Sequence, residues 1–408
     1  MKFIHTADWH IGQKFYDHDR TQEHIKFFEW LKTTVKDNSP DALLISGDIF
    51  DVANPSSESQ SLLYNFLAQV TYENPFLQII ITAGNHDSAS RLEAPSDVMR
   101  LIRVHIVGNV KKDCNGQVDY DSLIVKIRDN SSKVIGYVLA VPFLRPSDYI
   151  GTLNNYSYEE GITSFYSNLE KKINEINKDS LPVIAMGHLH AGGAEISDSE
   201  RVIRGGLEVV DKSIFANSFS YTALGHIHKA QKVGNCDNVR YSGSILPLSF
   251  SEINYSHKIL LVHTGEKLDI KDISIPRFID LIRIGTNDNP MPKEEVLSQI
   301  DKLPNKDDSL MQPPYLEINI LFNSPDPIFQ NDMIEALKNK NVLFCRAKSY
   351  YPDSENQDSG QIVHLDKVLE ITPEQMLEKA YFSKWNTELP TDLKDLFSHV
   401  VEDVTLLD

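Results

Sequence analysis

Five short segments of the chain carry carboxylate, amide and imidazole side chains of the kind that bind divalent metal ions. In chain order they are Asp8-Trp9-His10, Gly47-Asp48-Ile49-Phe50-Asp51, Gly84-Asn85-His86-Asp87, Gly187-His188 and Gly225-His226-Ile227-His228. This mixture of oxygen and nitrogen ligands suits two Mn²⁺-like ions, and one aspartate is free to bridge them. Because paired ions of this kind hydrolyse phosphoesters, the segments predict a two-metal phosphoesterase site.

Two ligand sets follow from these segments, and Asp48 belongs to both. We expect the first ion to bind Asp8, His10, Asp48 and His228. We expect the second ion to bind Asp48, Asn85, His188 and His226. Ions that share a bridging carboxylate lie about 3.5–4 Å apart, a separation that favours in-line displacement at phosphorus.

A catalytic role is expected for His86, which follows a ligand without being needed as one. Its imidazole could stabilise the transition state at phosphorus or protonate the leaving oxygen. An imidazole in that role needs its other ring nitrogen held, and Asp51, one turn after Asp48, is the partner that we expect. His86 and Asp51 are therefore the predicted catalytic residues.

Each segment has a plainer explanation when it is taken alone. An Asp-x-His or a Gly-Asp after a strand is usually a turn, Gly-Asn-His-Asp can cap a loop, and a Gly-His pair is usually structural. All five in order, most of them after an apolar strand, favour the metal site. One alternative stays open, since His190 repeats the spacing of His226 and His228 and competes with His188, which we prefer, as a ligand.

Apolar strands alternate with amphipathic helices over residues 1–275. Strands are predicted at 2–5, 41–47, 77–83, 123–128, 134–142, 183–186, 221–224, 240–242 and 259–264, and helices at 18–37, 56–70 and 158–176. Continuous apolar strands between such helices predict a layered α/β domain with two packed sheets. Ligands that follow neighbouring parallel strands then meet at one edge of a sheet.

A second, smaller α+β domain is predicted at residues 276–370, where the metal-type motifs have stopped. It contains an alternating strand at 315–322, a helix at 326–338 and a further strand at 342–346. Helices are expected at residues 371–408, because Thr372 and Pro373 begin a capping pattern. Apolar side chains then recur at helical spacing over 377–385 and 393–404.

Composition narrows the class of protein further. The chain has 408 residues, 41% of them hydrophobic, and we expect a soluble intracellular protein because no apolar stretch is long enough to span a bilayer. Three scattered cysteines fit a reducing compartment. The net charge of −18 argues against coating nucleic acid through overall charge. From Pro276 onward there are 24 acidic and 13 basic residues, so we do not expect the main phosphate-binding surface there.

The sequences of these segments resemble those of the calcineurin-like metallophosphoesterases and, within them, those of the SbcD family of bacterial nuclease subunits. The resemblance is dense over residues 1–265. It rests on the five segments with their flanks, on Pro142-Phe143-Leu144-Arg145-Pro146, on Tyr241-Ser242-Gly243-Ser244 and on Pro247-Leu248-Ser249-Phe250. The chain departs from the archaeal and eukaryotic relatives at Asp51, where those proteins carry histidine, so His86 is left as the imidazole acid of these loops.

The resemblance implies a Mn²⁺-dependent DNA nuclease with 3′→5′ exonuclease action on duplex ends and endonuclease action on hairpins. It implies work in DNA repair, recombination and replication, in the cytoplasm at the nucleoid. The expected partners are a second copy of the chain and an SbcC-type ABC ATPase with a long coiled coil, which together form a heterotetramer. Residues 276–370 would be a capping domain, and the helices of 371–408 would bind the coiled coil.

Two other functions remain as alternatives. A nucleotide phosphodiesterase or a phosphatase would use the same five segments, although such an enzyme has no need of residues 276–408. A metal-binding scaffold without catalysis would be favoured by the loss of a ligand or of His86, and none is missing. Mn²⁺ is the expected metal, while Fe²⁺ and Zn²⁺ also bind ligands of these types.

Overall fold

The computed structural model of the protein describes residues 1–149, 157–195, 209–216, 218–306, 312–322, 326, 329–351 and the single positions 381, 389, 390 and 393. Contacts between Cα atoms divide the chain into two units, Met1–Phe278 and Ile279–Asp408.

The first unit contains fourteen of the described strands and seven of the helices. Its strands are β1 Lys2–Thr6, β2 Lys14–Phe15, β3 His18–Asp19, β4 Ala42–Ser46, β5 Gln78–Thr82, β6 Val104–Val107, β7 Ile124–Arg128, β8 Val134–Leu139, β9 Val183–His188, β10 Tyr221–Gly225, β11 Gln231–Val233, β12 Cys236–Tyr241, β13 Lys258–Thr264 and β14 Leu268–Ser274. Its helices are α1 Thr21–Asn38, α2 Ser57–Glu73, α3 Ala89–Glu93, α4 Ser96–Arg100, α5 Pro146–Tyr149, α6 Tyr158–Ile176 and α7 Ser213–Ala216.

Two six-stranded sheets form the frame of this unit. The first has the order β14-β13-β1-β4-β5-β6 and the second the order β11-β12-β10-β9-β8-β7. Strands β1, β4, β5 and β6 are mutually parallel, as are β8, β9, β10 and β12, whereas β13 and β14 in the first sheet and β7 and β11 in the second pair antiparallel. The carboxyl ends of β1, β4 and β5 therefore point to one edge of the first sheet.

Four layers result from the way in which these sheets bury their faces. Helices α1 and α2 cover one face of the first sheet, and Phe27 and Leu67 pack there against Ile45. The opposite face of that sheet packs on the second sheet, which α6 covers on its outer side. All five residues of β4 are buried because the strand has layers on both sides. The predicted two-sheet layered α/β fold is confirmed.

Some predicted boundaries are wrong, and the causes are local. The first helix begins at Thr21 rather than at residue 18, because His18 pairs with Phe15 in a short hairpin. Strands β6 and β14 were not predicted. Their sequences carry polar residues such as His105 and Asp269, which mask the apolar pattern of strands at the margins of a sheet.

The second unit is a smaller α+β domain. It contains β15 Leu281–Ile284, β16 Met291–Pro292, α8 Lys293–Asp301, β17 Tyr315–Leu321, α9 Phe329–Leu337 and β18 Leu343–Tyr350. Strand β17 is central and pairs in parallel with the other three. The strand predicted at 315–322 is present as β17, and its polar Glu317 is fully buried and pairs with Arg283 (2.5 Å) and Arg346 (2.7 Å).

The roles assigned to the end of the chain stay predictions. We propose domain limits at 275 and 370 and a capping role for residues 276–370. Nearly all of the predicted helices at 371–408 lie outside the described residues. No helix in the part of the chain that the structure describes is long and apolar enough to cross a bilayer.

Candidate metal centre

The loops after β1 and β4 run side by side and hold each other through main-chain hydrogen bonds. The amide of Asp8 donates to the carbonyl of Gly47 (3.1 Å), and that of His10 donates to the carbonyl of Asp48 (3.0 Å). Asp8, His10 and Asp48 all have positive φ angles, of 52°, 44° and 47°. Non-glycine residues rarely adopt this conformation, and it concentrates at functional sites, where surrounding contacts hold it in place.

The carboxylate of Asp48 lies between two clusters of ligand-type side chains. One cluster is His10, Asp48 and His86, and the other is Asp48, His188 and His226. Its Oδ2 lies 3.3 Å from Nε2 of His188 and 3.7 Å from Nε2 of His10. Its Oδ1 accepts a hydrogen bond from the amide of His86 (2.9 Å). Asp48 is thus the residue common to both clusters, the position expected of a bridging ligand.

Asn85 and Asp8 border the second cluster. Oδ1 of Asn85 lies 3.0 Å from Nε2 of His188 and 3.0 Å from Nδ1 of His226. Oδ1 of Asp8 accepts a hydrogen bond from the amide of His226 (2.9 Å) and lies 3.9 Å from Nδ1 of His188. The side chains come from β1, β5, β9 and β10, so both sheets contribute to one site.

His188, rather than His190, lies in the second cluster. Nδ1 of His188 is 3.0 Å from the carbonyl oxygen of Ser46 in the other sheet, which turns its Nε2 toward Asp48 and Asn85. His190 is in neither cluster within the described residues, and its carbonyl accepts a hydrogen bond from the amide of Val210 (3.0 Å). The choice of His188 as a ligand remains a prediction that this geometry favours.

His228 is held from outside the five segments by a residue that the sequence did not suggest. Its Nδ1 lies 3.1 Å from Oε1 of Glu252, which is fully buried. A carboxylate on one ring nitrogen fixes the tautomer and orients the other nitrogen. The ring centroid of His228 lies 5.4 Å from that of His10. Glu252 follows no strand and belongs to no metal-type motif, so only the folded chain identifies it.

Asp51, the partner that we expected for the ring of His86, contacts it through the main chain and not through the carboxylate. Nδ1 of His86 donates to the main-chain carbonyl of Asp51 (2.8 Å). The Asp51 carboxylate instead lies 3.2 Å from Nδ1 of His10. The reason is the direction of the loop after β4, which turns the carbonyl toward one ring and the side chain toward the other. The carbonyl fixes the proton of His86 on Nδ1, because a carbonyl can only accept, and so leaves Nε2 to face a substrate.

Two buried atoms indicate that a metal ion fits this site. Oδ2 of Asp8 and Nε2 of His10 are inaccessible to water and have no hydrogen-bond partner among the residues that the structure describes. Buried polar atoms are almost always paired, so the exceptions need an explanation. An anionic oxygen and an imidazole nitrogen are ligand atoms for a divalent cation. The donor set therefore suits the divalent ions that this kind of site binds.

The pKa shifts of the centre differ from residue to residue. Burial would lower the pKa of His188, but the carboxylates of Asp48 and Asp8 outweigh burial and raise it to about 9. Burial alone would raise the pKa of Asp48, but His188, His10 and His86 outweigh burial and hold that pKa well below its usual range. Burial lowers the pKa of His226 to about 3. It raises the pKa of Asp8 to about 7, even though neighbouring imidazoles oppose the shift. An ionised Asp48 and a neutral His226 are the states in which these groups bind a metal.

Two glycines allow the loops to approach this closely. A Cβ atom at Gly84 would lie 2.1 Å from Oδ1 of Asp48, and one at Gly225 would lie 1.8 Å from the carbonyl oxygen of Ser46. Neither distance is possible for real atoms, so any larger residue would displace the Asp48 carboxylate or separate the sheets.

Asp87 ties the loops after β4 and β5 together. Its carboxylate accepts hydrogen bonds from the amides of Gly84 (2.8 Å), Phe50 (2.9 Å) and Ile49 (3.1 Å), and the side chain is buried. In the sequence, Asp87 belongs to one of the five metal-type segments, but no role was predicted for it. The structure shows that it holds the main chain just after Asp48 and just before Asn85, two predicted ligands.

Replacement of Asp87 by alanine is expected to destabilise the first unit strongly. Three buried amides would lose their acceptor, at a cost of roughly 1–3 kcal/mol for each unsatisfied group. The free energy of unfolding, measured with urea, should fall by several kcal/mol, while Asp269→Ala on an exposed position of β14 should change it by less than about 0.5 kcal/mol. Equal stability of the two variants would contradict this role.

Comparisons with known proteins agree with the geometry. The model of the calcineurin-like phosphoesterase family matches residues 1–230, and that of a type 5 capsule protein repressor C-terminal domain matches residues 277–384. The SbcD subunit of the nuclease SbcCD from Rhodobacter capsulatus is 37% identical over 335 residues, which cover 80% of this chain and 81% of that protein. The corresponding protein of Escherichia coli K12 is 33% identical over 287 residues, 68% of each chain. That of Staphylococcus epidermidis is 26% identical over 372 residues, 89% of this chain and 91% of that protein. The chain therefore belongs to the calcineurin-like phosphoesterase family and, within it, to the SbcD family of SbcCD nuclease subunits.

Proposed function

We propose that this chain is the nuclease subunit of an SbcCD-type complex and hydrolyses phosphodiester bonds of DNA. The observation that carries the proposal is the Asp48 carboxylate, which is shared by two clusters of ligand-type side chains, with His86 beside it. Identity of 37% to a protein named as a nuclease supports the choice of substrate. The proposed action is 3′→5′ exonuclease on duplex ends and endonuclease on hairpins, in DNA repair and recombination.

In this proposal, Asp8, His10, Asp48 and His228 bind one ion, and Asp48, Asn85, His188 and His226 bind the other. The ions, when bound, supply electrostatic stabilisation of the phosphoryl group and activation of the nucleophile. Mn²⁺ is the proposed metal because the ligands are oxygen and imidazole nitrogen. Cysteine, which would favour a softer metal, is absent from both sets.

The residues around the ions have separate tasks. Asp51 orients two imidazoles, His86 through its carbonyl and His10 through its carboxylate. His86, whose side chain is partly exposed, presents Nε2 to the substrate. Once Nε2 also carries a proton, it donates that proton to the leaving oxygen, or donates a hydrogen bond to a phosphoryl oxygen as charge develops. Glu252 and the carbonyl of Ser46 keep His228 and His188 in the orientations that the ligand sets require.

The direct test is cleavage of end-labelled linear and hairpin duplexes by this chain, with and without an SbcC-type ATPase and ATP. We expect Mn²⁺-dependent cleavage that the ATPase and ATP increase. No cleavage of DNA with the partner present, together with turnover of bis-p-nitrophenyl phosphate, would move the function to a phosphodiesterase of the same superfamily.

A homodimer is also part of the proposal, and an exposed apolar surface of the first unit is the proposed interface. Leu63, Phe66 and Leu67 of α2 are buried in the core and are not available to a partner. Exposed apolar side chains instead lie on two adjacent segments, 72–76 and 98–102. The largest exposed fractions there are those of Tyr72 (87%), Leu101 (84%) and Val98 (67%). An apolar patch of this kind is typical of a protein interface.

Replacement of Leu101 by glutamate is expected to convert the dimer into a monomer. The change would bury an unpaired charge at the centre of an apolar interface, which costs several kcal/mol. The molar mass from light scattering after size-exclusion chromatography reports the result. Ile334→Glu, which changes an apolar residue of α9 that is 54% exposed, is the matched control and should leave the mass unchanged. A Leu101→Glu protein with the mass of the wild type would exclude this patch as the interface.

The ATPase partner and the domain roles complete the proposal. Residues 276–370 are proposed to cap the nuclease domain 1–275, and residues 371–408 to bind the coiled coil of the ATPase. The match of the second family model to residues 277–384 supports a separate C-terminal module. Two nuclease chains and two ATPase chains would form a heterotetramer, and action on the chromosome implies the cytoplasm at the nucleoid.

A further inference from the structure

An open groove lies where one edge of each sheet of the first unit comes together. It has a volume of about 520 Å³ and runs between β6, at the edge of the first sheet, and β7, at the edge of the second. Its basic lining residues are Arg100, Arg103, His105, Lys126 and Arg128. The groove shares no residue with the metal centre.

The charge of this groove is opposite to that of the protein as a whole. Acidic residues outnumber lysine and arginine by 58 to 40 in the chain, yet no residue lining the groove is acidic. Arg100 has an acidic neighbour, Asp97 at 3.7 Å, and both are exposed. Within the described residues, Arg103, Lys126 and Arg128 have no carboxylate at salt-bridge distance. Such a concentration of uncompensated positive charge attracts an anionic ligand.

Both walls of the groove are held in place by specific contacts. The buried side chain of Gln78 donates to the carbonyl of Lys126 (3.1 Å) and accepts from the amide of Arg128 (2.7 Å), which ties β5 to β7. Lys126 and Arg128 are two residues apart on the exposed face of β7, roughly 6.6 Å along the strand. On the opposite wall, the guanidinium of Arg103 lies 5.7 Å from the centre of the Phe76 ring. These contacts therefore hold the strand that carries Lys126 and Arg128, and the side chain of Arg103, in fixed positions.

The lining identifies the class of ligand. Apart from His105, no lining residue carries an aromatic ring on which a base could stack. Paired cations along an extended strand match a series of phosphates rather than one small anion. Gln78 begins β5, whereas Asn85 follows the end of that strand, so the groove lies roughly 20 Å from the metal centre along the strand. A ligand there would not be cleaved.

We propose that this groove binds the sugar–phosphate backbone of DNA as an anchoring site separate from the cleavage site. The inference rests on the proposed function, since it takes DNA as the substrate. Binding at such a site is independent of sequence and falls steeply with salt, because each contact releases a condensed counterion. The site raises the affinity of this acidic protein for DNA, and it positions a duplex that extends beyond the metal centre.

The test compares two double variants of the full chain that remove the same charge. Lys126→Gln with Arg128→Gln neutralises one wall of the groove. Lys267→Gln with Lys271→Gln neutralises two exposed lysines at β14 and just before it, at the far edge of the first sheet. Binding of a labelled DNA duplex is measured by fluorescence anisotropy in EDTA, which prevents cleavage, over a range of salt concentrations. Arg103→Gln tests the opposite wall independently, and melting temperatures verify that each variant is folded.

We expect the groove double variant to bind DNA more weakly than the wild type at 0.1 M salt, by roughly eightfold for each phosphate contact removed. This factor follows because log K changes by about 0.9 per contact for each tenfold change in salt concentration. The salt slope of log K should fall by about 2 in that variant, and by about 1 in Arg103→Gln. The β14 control should keep the slope of the wild type. Tripolyphosphate should compete weakly and raise no melting temperature.

Three results would overturn the inference, and they are distinguishable. A groove variant with the affinity and slope of the β14 control, while the wild type binds DNA, would exclude the groove and leave the nuclease proposal intact. Failure of the wild type to bind DNA under all of these conditions would overturn the groove and the proposed function together. Tight binding of tripolyphosphate that the groove variants lose, without a change in DNA affinity, would assign the groove to a small polyphosphate instead.

Discussion

Replacement of Asp48 by asparagine is expected to abolish the binding of both metal ions and to lower DNA cleavage by roughly a thousandfold or more, equivalent to the several kcal/mol that a metal centre supplies. The carboxylate lies 3.3 Å from His188 and 3.7 Å from His10, the two imidazoles on either side of it. Asparagine preserves the shape and can still accept from the amide of His86, but it removes the negative charge that two cations would share. The measurements are the manganese content of the protein after gel filtration and the rate of cleavage in Mn²⁺.

The matched variant for this prediction is Asp8→Asn, which also removes one buried carboxylate. Asp8 belongs to one ligand set only, so this protein should retain one ion per chain with higher affinity than the Asp48 variant. Loss of a shared ligand and loss of a single-ion ligand thus differ in the number of ions bound per chain as well as in the rate of cleavage. Two ions bound to Asp48→Asn with the affinity of the wild type would refute the bridging role.

Replacement of His86 by glutamine is expected to lower the rate of DNA cleavage by roughly 10²–10⁴-fold while both ions are retained, as for the loss of a general acid. Nδ1 of His86 is held by the carbonyl of Asp51 at 2.8 Å, and its amide by Asp48, so the ring is oriented by contacts that do not need a metal. Glutamine can donate a hydrogen bond but cannot transfer a proton at neutral pH. The rate of cleavage in Mn²⁺ reports the loss of proton transfer, and the metal content of the protein reports whether both ions are still bound.

Metal content decides between two interpretations of His86, because its ring nitrogen also lies within the cluster of His10 and Asp48. Loss of an ion in His86→Gln would identify it as a ligand and refute the proton-transfer role. His190→Gln is the control, since His190 lies in neither cluster within the described residues, and it should keep both metal content and cleavage. Loss of an ion in that variant would instead reopen the choice between His188 and His190.

The candidate ligands could be proposed from the sequence because the signal for each is local. Asp48 and Asn85 follow buried strands of mainly apolar residues, Asp8 follows a short strand that begins at Lys2, and the carboxyl ends of parallel strands meet at one edge of a sheet. Two sheets were expected for the same reason, since apolar strands need a layer on each face. Helix α6 has the limits that were predicted, and in the structure a capping box of Ser157 and Glu160 fixes its start.

Local patterns were insufficient where a residue's partner comes from a distant part of the chain. Glu252 contacts His228 only because β10 and the turn at 250–252 are adjacent in the fold. Strand β17 alternates apolar and polar residues, but Glu317 is buried because Arg283 and Arg346 from neighbouring strands neutralise it. Burial of a charge depends on such partners, which spacing along the chain does not reveal.

The sequence by itself determined the layered fold, the identity of the candidate ligands and the chemistry that they can support, since these depend on residue type and on strand and helix periodicity. The tertiary structure decided which atom of Asp51 holds His86, which face of the molecule is apolar and exposed, and where four cations converge at the meeting edges of two sheets. Those features arise from the directions of loops and side chains in space, which are set only when segments far apart in the chain pack together.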